Sequence, residues 1–251
     1  MAELLQKVID EQKAYYQARA QEYDEWFYRR GRYDHGPEHT QQWEAEAAEV
    51  RQALAEINLT GQVLDVAAGT GIWTQELLKT AAHITALDSS AEMLELNRQR
   101  VPQSDMVTYT VSDLFYWQPV MLYDAVFLGF WLSHVPPSLL YDFIGTIVEA
   151  LKPGGKLFFV DSLPDPSSTA KDMVDNLKKN LDKRTSVIDQ PGDKDVIMTR
   201  RLNDGREFQV VKIFYLPDNL VEQFKSYNVP LTVKQTAHYF LYGWGIKPSE
   251  S

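Results

Sequence analysis

The chain contains no cysteine in its 251 residues. Disulfides and thiolate metal sites are thereby excluded, and the composition is compatible with the cytoplasm, the compartment expected here. Also missing is any apolar run of about 18 residues, so no transmembrane helix is expected. Residues 1–30 are rich in Glu, Gln, Tyr and Arg and lack the apolar stretch of a secretory leader, so none is expected. Basic charge is scarce. The 25 Lys and Arg stand against 35 Asp and Glu, a formal charge of −10. Such a surface repels a phosphate backbone, so no nucleic-acid partner is expected. The densest basic stretch, Lys178–Arg184, is diluted by Asp175 and Asp182 and reads as a solvated helix face. No His, Asp or Glu cluster has metal-ligand spacing, so no metal is expected. Internal repeats and low-complexity segments are absent too.

Hydrophobic residues make up 44% of the chain, enough for a sizeable core. The length suits one α/β domain with additional helices. Residues 3–28 read as a helix, with apolar positions at Leu4, Leu5, Val8, Tyr15 and Tyr16. Arg29 to Pro37 holds two glycines and a proline and reads as a loop. Trp43, Ala47, Val50, Leu54 and Ile57 then mark one face of an amphipathic helix.

From residue 62 strands and helices alternate. Strands are expected at 62–66, 84–87, 106–111, 123–128 and 156–160. Helices are expected at 72–79, from Ser89 to about Arg100, and at 139–151. Ser89-Ser90-Ala91-Glu92 has the capping-box form, and Lys152-Pro153-Gly154-Gly155 is a helix-stop signal. This alternation implies a parallel sheet with right-handed crossovers. Residues 165–200 read as an insertion carrying a helix over 169–183. A long strand at 206–215, a helix at 218–227 and a last strand at 231–242 follow. The two strands would form a hairpin-like antiparallel edge.

The strongest motif is Val63-Leu64-Asp65-Val66-Ala67-Ala68-Gly69-Thr70-Gly71-Ile72, an apolar strand running into a small-residue turn and then a helix. Small residues let backbone approach a ligand, and open sheets bind ligands at the carboxyl ends of their strands. Asp88 closes the second strand, where an acid can accept from both hydroxyls of a ribose. Asp113 lies just past the third strand, placed for an adenine amino group. Asp65, Asp88 and Asp113 are expected to face one crevice. A dinucleotide-binding dehydrogenase would require a third glycine, but Ile72-Trp73-Thr74 follows Gly71.

In these residues the chain resembles the class I S-adenosylmethionine (SAM)-dependent methyltransferases. The family's acidic residue–x–Gly–x–Gly–x–Gly stretch corresponds to Asp65-Val66-Ala67-Ala68-Gly69-Thr70-Gly71, with alanine in place of the first glycine. The ribose acid corresponds to Asp88, followed by Ser89, with Met93 placed against the adenine. Asp113 and Leu114 correspond to the adenine-side pair. Tyr123–Phe127 matches the fourth-strand motif, and 151–155 the turn before the fifth strand. The resemblance spans 62–161. It implies a Rossmann-like, mostly parallel seven-stranded sheet with helices on both faces and an antiparallel C-terminal edge strand. It implies a single domain over 1–251: a helical lid at 1–60, a SAM-binding core at 61–164, the insertion at 165–200, and C-terminal strands at 201–251 completing the sheet. SAM is the implied cofactor and S-adenosylhomocysteine (SAH) its product. Asp65, Ala67, Gly69, Thr70, Gly71, Asp88, Ser89, Met93, Asp113, Leu114 and Phe130 are the expected cofactor residues.

Two regions could build an acceptor site. The loop after the fourth strand, Gly129 to Pro137, carries Phe130, Trp131 and His134, the best general-base candidate in the chain. As a loop histidine bonded to backbone, His134 would be purely structural. The loop lacks the Asn/Asp-Pro-Pro-Tyr pattern of methyltransferases acting on nucleic-acid bases. The second region is the aromatic N-terminal segment, with Tyr15, Tyr16, Tyr23, Trp26, Phe27, Tyr28 and Tyr33. Tyr23-Asp24 resembles the lid of small-molecule methyltransferases, and a tyrosine suits a sulfonium. Arg29, Arg30 and Arg32 could receive an anionic acceptor or be solvated. His238, Tyr239 and Arg206 could also face this pocket, with no role assigned. The expected function is methyl transfer from SAM to O or N of a small molecule, with Tyr23 and His134 as catalytic candidates. A non-catalytic SAM-binding regulator, aminopropyl transfer and a nucleic-acid methyltransferase are the alternatives.

Overall fold

The computed structural model describes residues 2–101, 104–184, 192 and 195–249. The N-terminal segment is not one helix. It consists of α1 (Ala2–Arg19), a 3-10 turn over Ala20–Glu22, and the short α2 (Tyr23–Phe27). Backbone ψ relaxes to −9° at Arg19 and −10° at Glu22, which tightens the helix between them. α3 (Pro37–Ile57) starts on a proline, whose missing N–H costs nothing at that position, and ends at left-handed Asn58.

The alternating region follows as expected: β1 (Gly61–Val66), α4 (Ile72–Leu77), β2 (Ala81–Asp88), α5 (Ala91–Arg100), β3 (Val107–Val111), β4 (Tyr123–Gly129), α6 (Pro137–Ala150) and β5 (Leu151–Ser162). Then come α7 (Val174–Arg184), β6 (Ile197–Arg201), β7 (Glu207–Val211), α8 (Pro217–Lys225), β8 (Leu231–Gln235) and β9 (Phe240–Ile246). The main sheet has seven strands in the order β3-β2-β1-β4-β5-β9-β8, as the Rossmann-like expectation required. β1 to β5 run parallel, and β9 and β8 add the antiparallel edge.

Period-two alternation splits the core between the faces of this sheet. Along β4, Val126 and Leu128 pack with Phe143, Ile144 and Ile147 of α6 and Phe224 of α8. Ala125 and Phe127 pack on the other side with Trp43, Val50 and Leu54 of α3.

Several boundaries differ from expectation. The N-cap of α5 is Ser90, not Ser89: Ser90 Oγ accepts from Met93 N at 3.2 Å, while Glu92 accepts from Ser90 Oγ and Gln17. No reciprocal capping box forms, because Glu92 turns toward α1. α7 begins at Val174, after a 3-10 turn at Lys171–Met173, so the helix expected from residue 169 starts late. Of the basic stretch on α7, the side chains of 182–184 lie outside the described residues, as do 185–191, 193 and 194 of the expected insertion.

The C-terminal pairing is also different. The strand expected over 206–215 is only β7, and it pairs with β6 in a separate two-stranded sheet. It leaves that ladder because Ile213 N bonds instead to Ser133 O at 2.8 Å. The strand expected over 231–242 is a hairpin, β8–β9, broken at 236–239. Glu46 of α3 pins that turn: its Oε2 accepts from Thr236 Oγ1, His238 N and Tyr239 N at 2.5, 3.1 and 2.9 Å. Glu46 is buried, so removing its carboxylate strands these donors away from water. Glu46→Ala should lower the unfolding free energy by about 1–3 kcal/mol, read as an earlier urea midpoint with an unchanged slope.

Candidate active site

The carboxyl ends of β1, β2 and β4 open on one crevice, where the strand order reverses. Beyond Val66 the backbone turns left-handed at Ala67 (φ 56°), Gly69 (φ 53°) and Gly71 (φ 86°). A Cβ on Gly71 would meet Asn97 at 2.7 Å, so glycine there lets the start of α4 lie against α5. Alanine at 67 carries a backbone cost of roughly 1–2 kcal/mol, the kind of strain stored at functional sites. Phe130 is left-handed too, at φ 56°, held by its N–H to Val160 O at 2.7 Å.

Asp88 is buried, and its two oxygens accept from Gly69 N and Ser90 N, each at 2.9 Å. Burial pushes its carboxyl up, and these backbone bonds pull against that. Asp88, Ala67, Gly69, Ser89, Met93 and Leu114 line a cleft with about 410 Å³ of open space including its mouth, bordered also by Tyr16, Tyr23, Phe130 and Trp131. Seven of the expected cofactor residues therefore meet here: these six and Phe130.

The other four do not line it. Asp65 is 1% exposed and accepts from Thr74 Oγ1 at 2.7 Å, supporting the turn from behind. Thr70 is buried and donates to Asp24 Oδ1 at 2.7 Å. Gly71 serves α4 packing. Asp113 is held by Lys13 of α1 at 2.5 Å and by Phe115 N at 3.0 Å. The expectation that Asp65, Asp88 and Asp113 share the crevice is thus met by Asp88 alone.

A second, larger cleft adjoins the first, with about 690 Å³ of open space including its mouth. Tyr16, Tyr23 and Phe130 line both and form the wall between them. Its lining also carries Arg19, Arg200, Lys212 and His134. Lys212 is buried and bonded to Ser133 Oγ, Asp161 Oδ1 and Ser162 Oγ at 2.7, 3.2 and 3.3 Å. Arg19 is buried within a box of rings, its guanidinium carbon 5.1–6.0 Å from the centroids of Tyr15, Tyr23, Trp26 and Tyr33. Arg200 reaches Thr169 Oγ1 at 3.2 Å. Among the described residues neither arginine has a carboxylate partner.

His134 lines this cleft but offers no unengaged nitrogen. Nδ1 lies 2.6 Å from Val211 O, which can only accept, so Nδ1 carries the proton. Nε2 lies 2.8 Å from Tyr16 Oη and accepts from it. Burial holds the imidazole well below its usual range, and Lys212 adds to this. The general base expected at His134 is therefore a bonded, neutral ring. In the basic loop Arg29 and Arg32 are likewise engaged. Arg29 is buried, bonded to Trp26 O and Ser168 O and stacked over Trp43 at 3.9 Å. Arg32 makes a two-point pair with Asp172, and Arg30 lies over Tyr28. Arg206 bonds Asp204, and Tyr239 packs on Trp43 and His39.

The methyltransferase domain family matches residues 63–155. The chain is 31% identical to DhpI, solved as a complex with SAM and HEP, over 95% of this chain and 97% of that one, with a TM-score of 0.75. A DhpI–SAH complex gives 31% over 98% and 99%, with a TM-score of 0.74. The chain belongs to the class I SAM-dependent methyltransferases. Among curated relatives of this methyltransferase, the demethylmenaquinone methyltransferase of Tropheryma whipplei (strain Twist) is 34% identical over 96 residues, 38% of this chain and 39% of that protein. The ubiquinone biosynthesis O-methyltransferase of Xylella fastidiosa (strain M23) is 34% identical over 108 residues, 41% and 42%. The chain spans about two-fifths of the length of these curated relatives. No helix among the described residues is long and apolar enough to cross a membrane.

Sequence reading missed Arg19, Arg200 and Lys212. The available signal was the spacing Gln12, Tyr16, Arg19, one face of α1 at i, i+4 and i+7.

Burial pushes the Asp65 carboxyl up to about 7, against the Thr74 bond. A carboxyl raised on folding stabilises the fold while it is protonated. That contribution is full below the unfolded value near 4 and is lost as pH rises toward 7. Asp65→Asn should flatten this part of the pH profile of Tm between pH 4 and 7. An unchanged profile would count against a buried, protonated Asp65.

Proposed function

We propose that this methyltransferase moves the methyl group of SAM to an oxygen of a small anionic acceptor, a carboxylate or a phosphoryl group. One observation carries the reading: a cleft sharing a wall with the cofactor cavity presents Arg19 and Arg200, neither paired with a carboxylate. In an acidic protein, two such cations lining one cleft favour a negatively charged ligand.

The residues of the first cavity fit the methyl donor. Asp88 keeps lone pairs for ribose hydroxyls, Met93 and Leu114 supply apolar walls for a flat base, and Ala67 and Gly69 let backbone come close. SAM supplies a methyl group already activated on a sulfonium. In the proposal Arg19 and Arg200 bind and orient the acceptor, and the Lys212–Asp161 pair completes that wall. Tyr16, Tyr23 and Phe130 border both clefts, and in the proposal their rings keep water from the place where the two meet. An ionised oxygen has no proton to lose, so no general base is required, in keeping with a His134 bonded at both nitrogens. Segment 1–60 acts as the cap, 61–164 as the cofactor core, and the β6–β7 sheet with its flanks as the acceptor wall. The absence of cysteine and the charge of −10 support a cytoplasmic enzyme that does not act on nucleic acid.

Asp88→Ala should abolish SAH binding in isothermal titration. Arg200→Ala should raise the acceptor KM roughly 10- to 100-fold, the loss of a charge-assisted bond, with SAH affinity unchanged. Product mass from panels of carboxylates, phosphate monoesters, phosphonates and amines tests the acceptor class. Turnover of amines, with oxyanions inert, would overturn the assignment.

A further inference from the structure

Tyr16 stands on the wall that the two clefts share, and it is bonded there in an unusual way. Its hydroxyl reaches His134 Nε2 at 2.8 Å. The opposite nitrogen of that ring faces the carbonyl of Val211 at 2.6 Å. A carbonyl cannot donate, so the tautomer is determined: Nδ1 bears hydrogen and Nε2 bears a lone pair. The phenolic proton must then point at His134. No described group donates to the Tyr16 oxygen. Because His134 lines the acceptor cleft and Tyr16 lines both, this bond lies at their boundary.

The arrangement is braced rather than incidental. Gln12, one turn before Tyr16 on α1 and 2% exposed, donates to His134 O at 3.0 Å and accepts from Val211 N at 2.9 Å. It thereby ties the backbone of His134 to that of Val211, whose carbonyl the imidazole contacts. The Tyr16 and His134 rings meet edge-on at 5.4 Å.

We propose that His134 is a positioning residue that fixes the rotor of Tyr16, so that the phenolic oxygen offers only lone pairs to the boundary between the clefts and thereby favours a sulfonium over a thioether. The proposal rests on the cofactor placement given above. Its consequence is discrimination between charged SAM and neutral SAH. An oxygen lone pair attracts a cation and is indifferent to an uncharged sulfur. A tyrosine free to rotate could turn its proton inward and lose that preference.

Isothermal titration of wild type, Tyr16→Phe, His134→Leu and His134→Gln with SAM and with SAH tests this. Tyr16→Phe should weaken SAM roughly tenfold, the scale of a hydrogen bond to a charged group, and SAH by less than about twofold. His134→Leu should reproduce that selective loss, and Tyr16→Phe combined with His134→Leu should add little to it. His134→Gln keeps an acceptor for the phenol and should largely restore the SAM preference. SAH binding reports folding in each variant. Equal weakening of both ligands by Tyr16→Phe, or unaltered SAM affinity in a folded His134→Leu, would overturn the proposal. Should His134→Leu not fold, ¹⁵N NMR of the wild-type imidazole decides. An unprotonated Nε2 at neutral pH is expected, and a protonated one would overturn it. A wild-type protein that binds neither ligand would instead overturn the cofactor placement.

Discussion

One buried amide holds together three pieces of chain that are far apart in sequence. Gln12 lies on α1, His134 follows β4, and Val211 ends β7 in the second sheet, and the Gln12 side chain bonds the backbone of the latter two. An unsatisfied amide at that depth costs more than the bonds are worth on balance, so the three pieces stay in register or separate together. The wall between the clefts depends on that register. Gln12 helps set the rotation and depth at which α1 brings Tyr16 and Arg19 to the site, together with Glu11 on Gln209 and Lys13 on Asp113.

The core of this architecture was legible because its signals are local. An apolar strand, a small-residue turn and a helix follow one another between Val63 and Leu77, and β2 ends at Asp88. Apolar strands such as that of Val126 and Phe127, alternating with helices, leave little choice but a parallel sheet between helix layers, while its seven strands were implied by the family resemblance. What a motif does not say is which side of the turn a polar residue takes. Asp65 and Thr70 sit in the motif yet face Thr74 and Asp24, away from the cavity, while their neighbours Ala67 and Gly69 face into it.

The second cleft was illegible for the opposite reason: it is assembled from parts that no periodicity connects. Arg19 comes from α1, Arg200 from β6 and Lys212 from the residue just past β7. In the conspicuous basic cluster Arg29 and Arg32 are spent on tertiary contacts, while Arg30 is exposed over its near neighbour Tyr28. The β6–β7 pairing is a further case. Nothing in Ile197–Arg201 announces a strand, and it becomes one by pairing with β7, against which α1 docks.

The box of rings around Arg19 has a consequence for turnover. On the proposed chemistry a cation and an anion enter the two clefts, and an uncharged thioether and an ester with one negative charge fewer leave them. Part of the attraction that draws the reactants to Arg19 and Arg200 is therefore cancelled by the reaction itself. Rings, unlike a carboxylate, offer the guanidinium no competing counter-ion, so its hold on the ligand follows the ligand's charge. On that chemistry the site holds its ligands more tightly before transfer than after it.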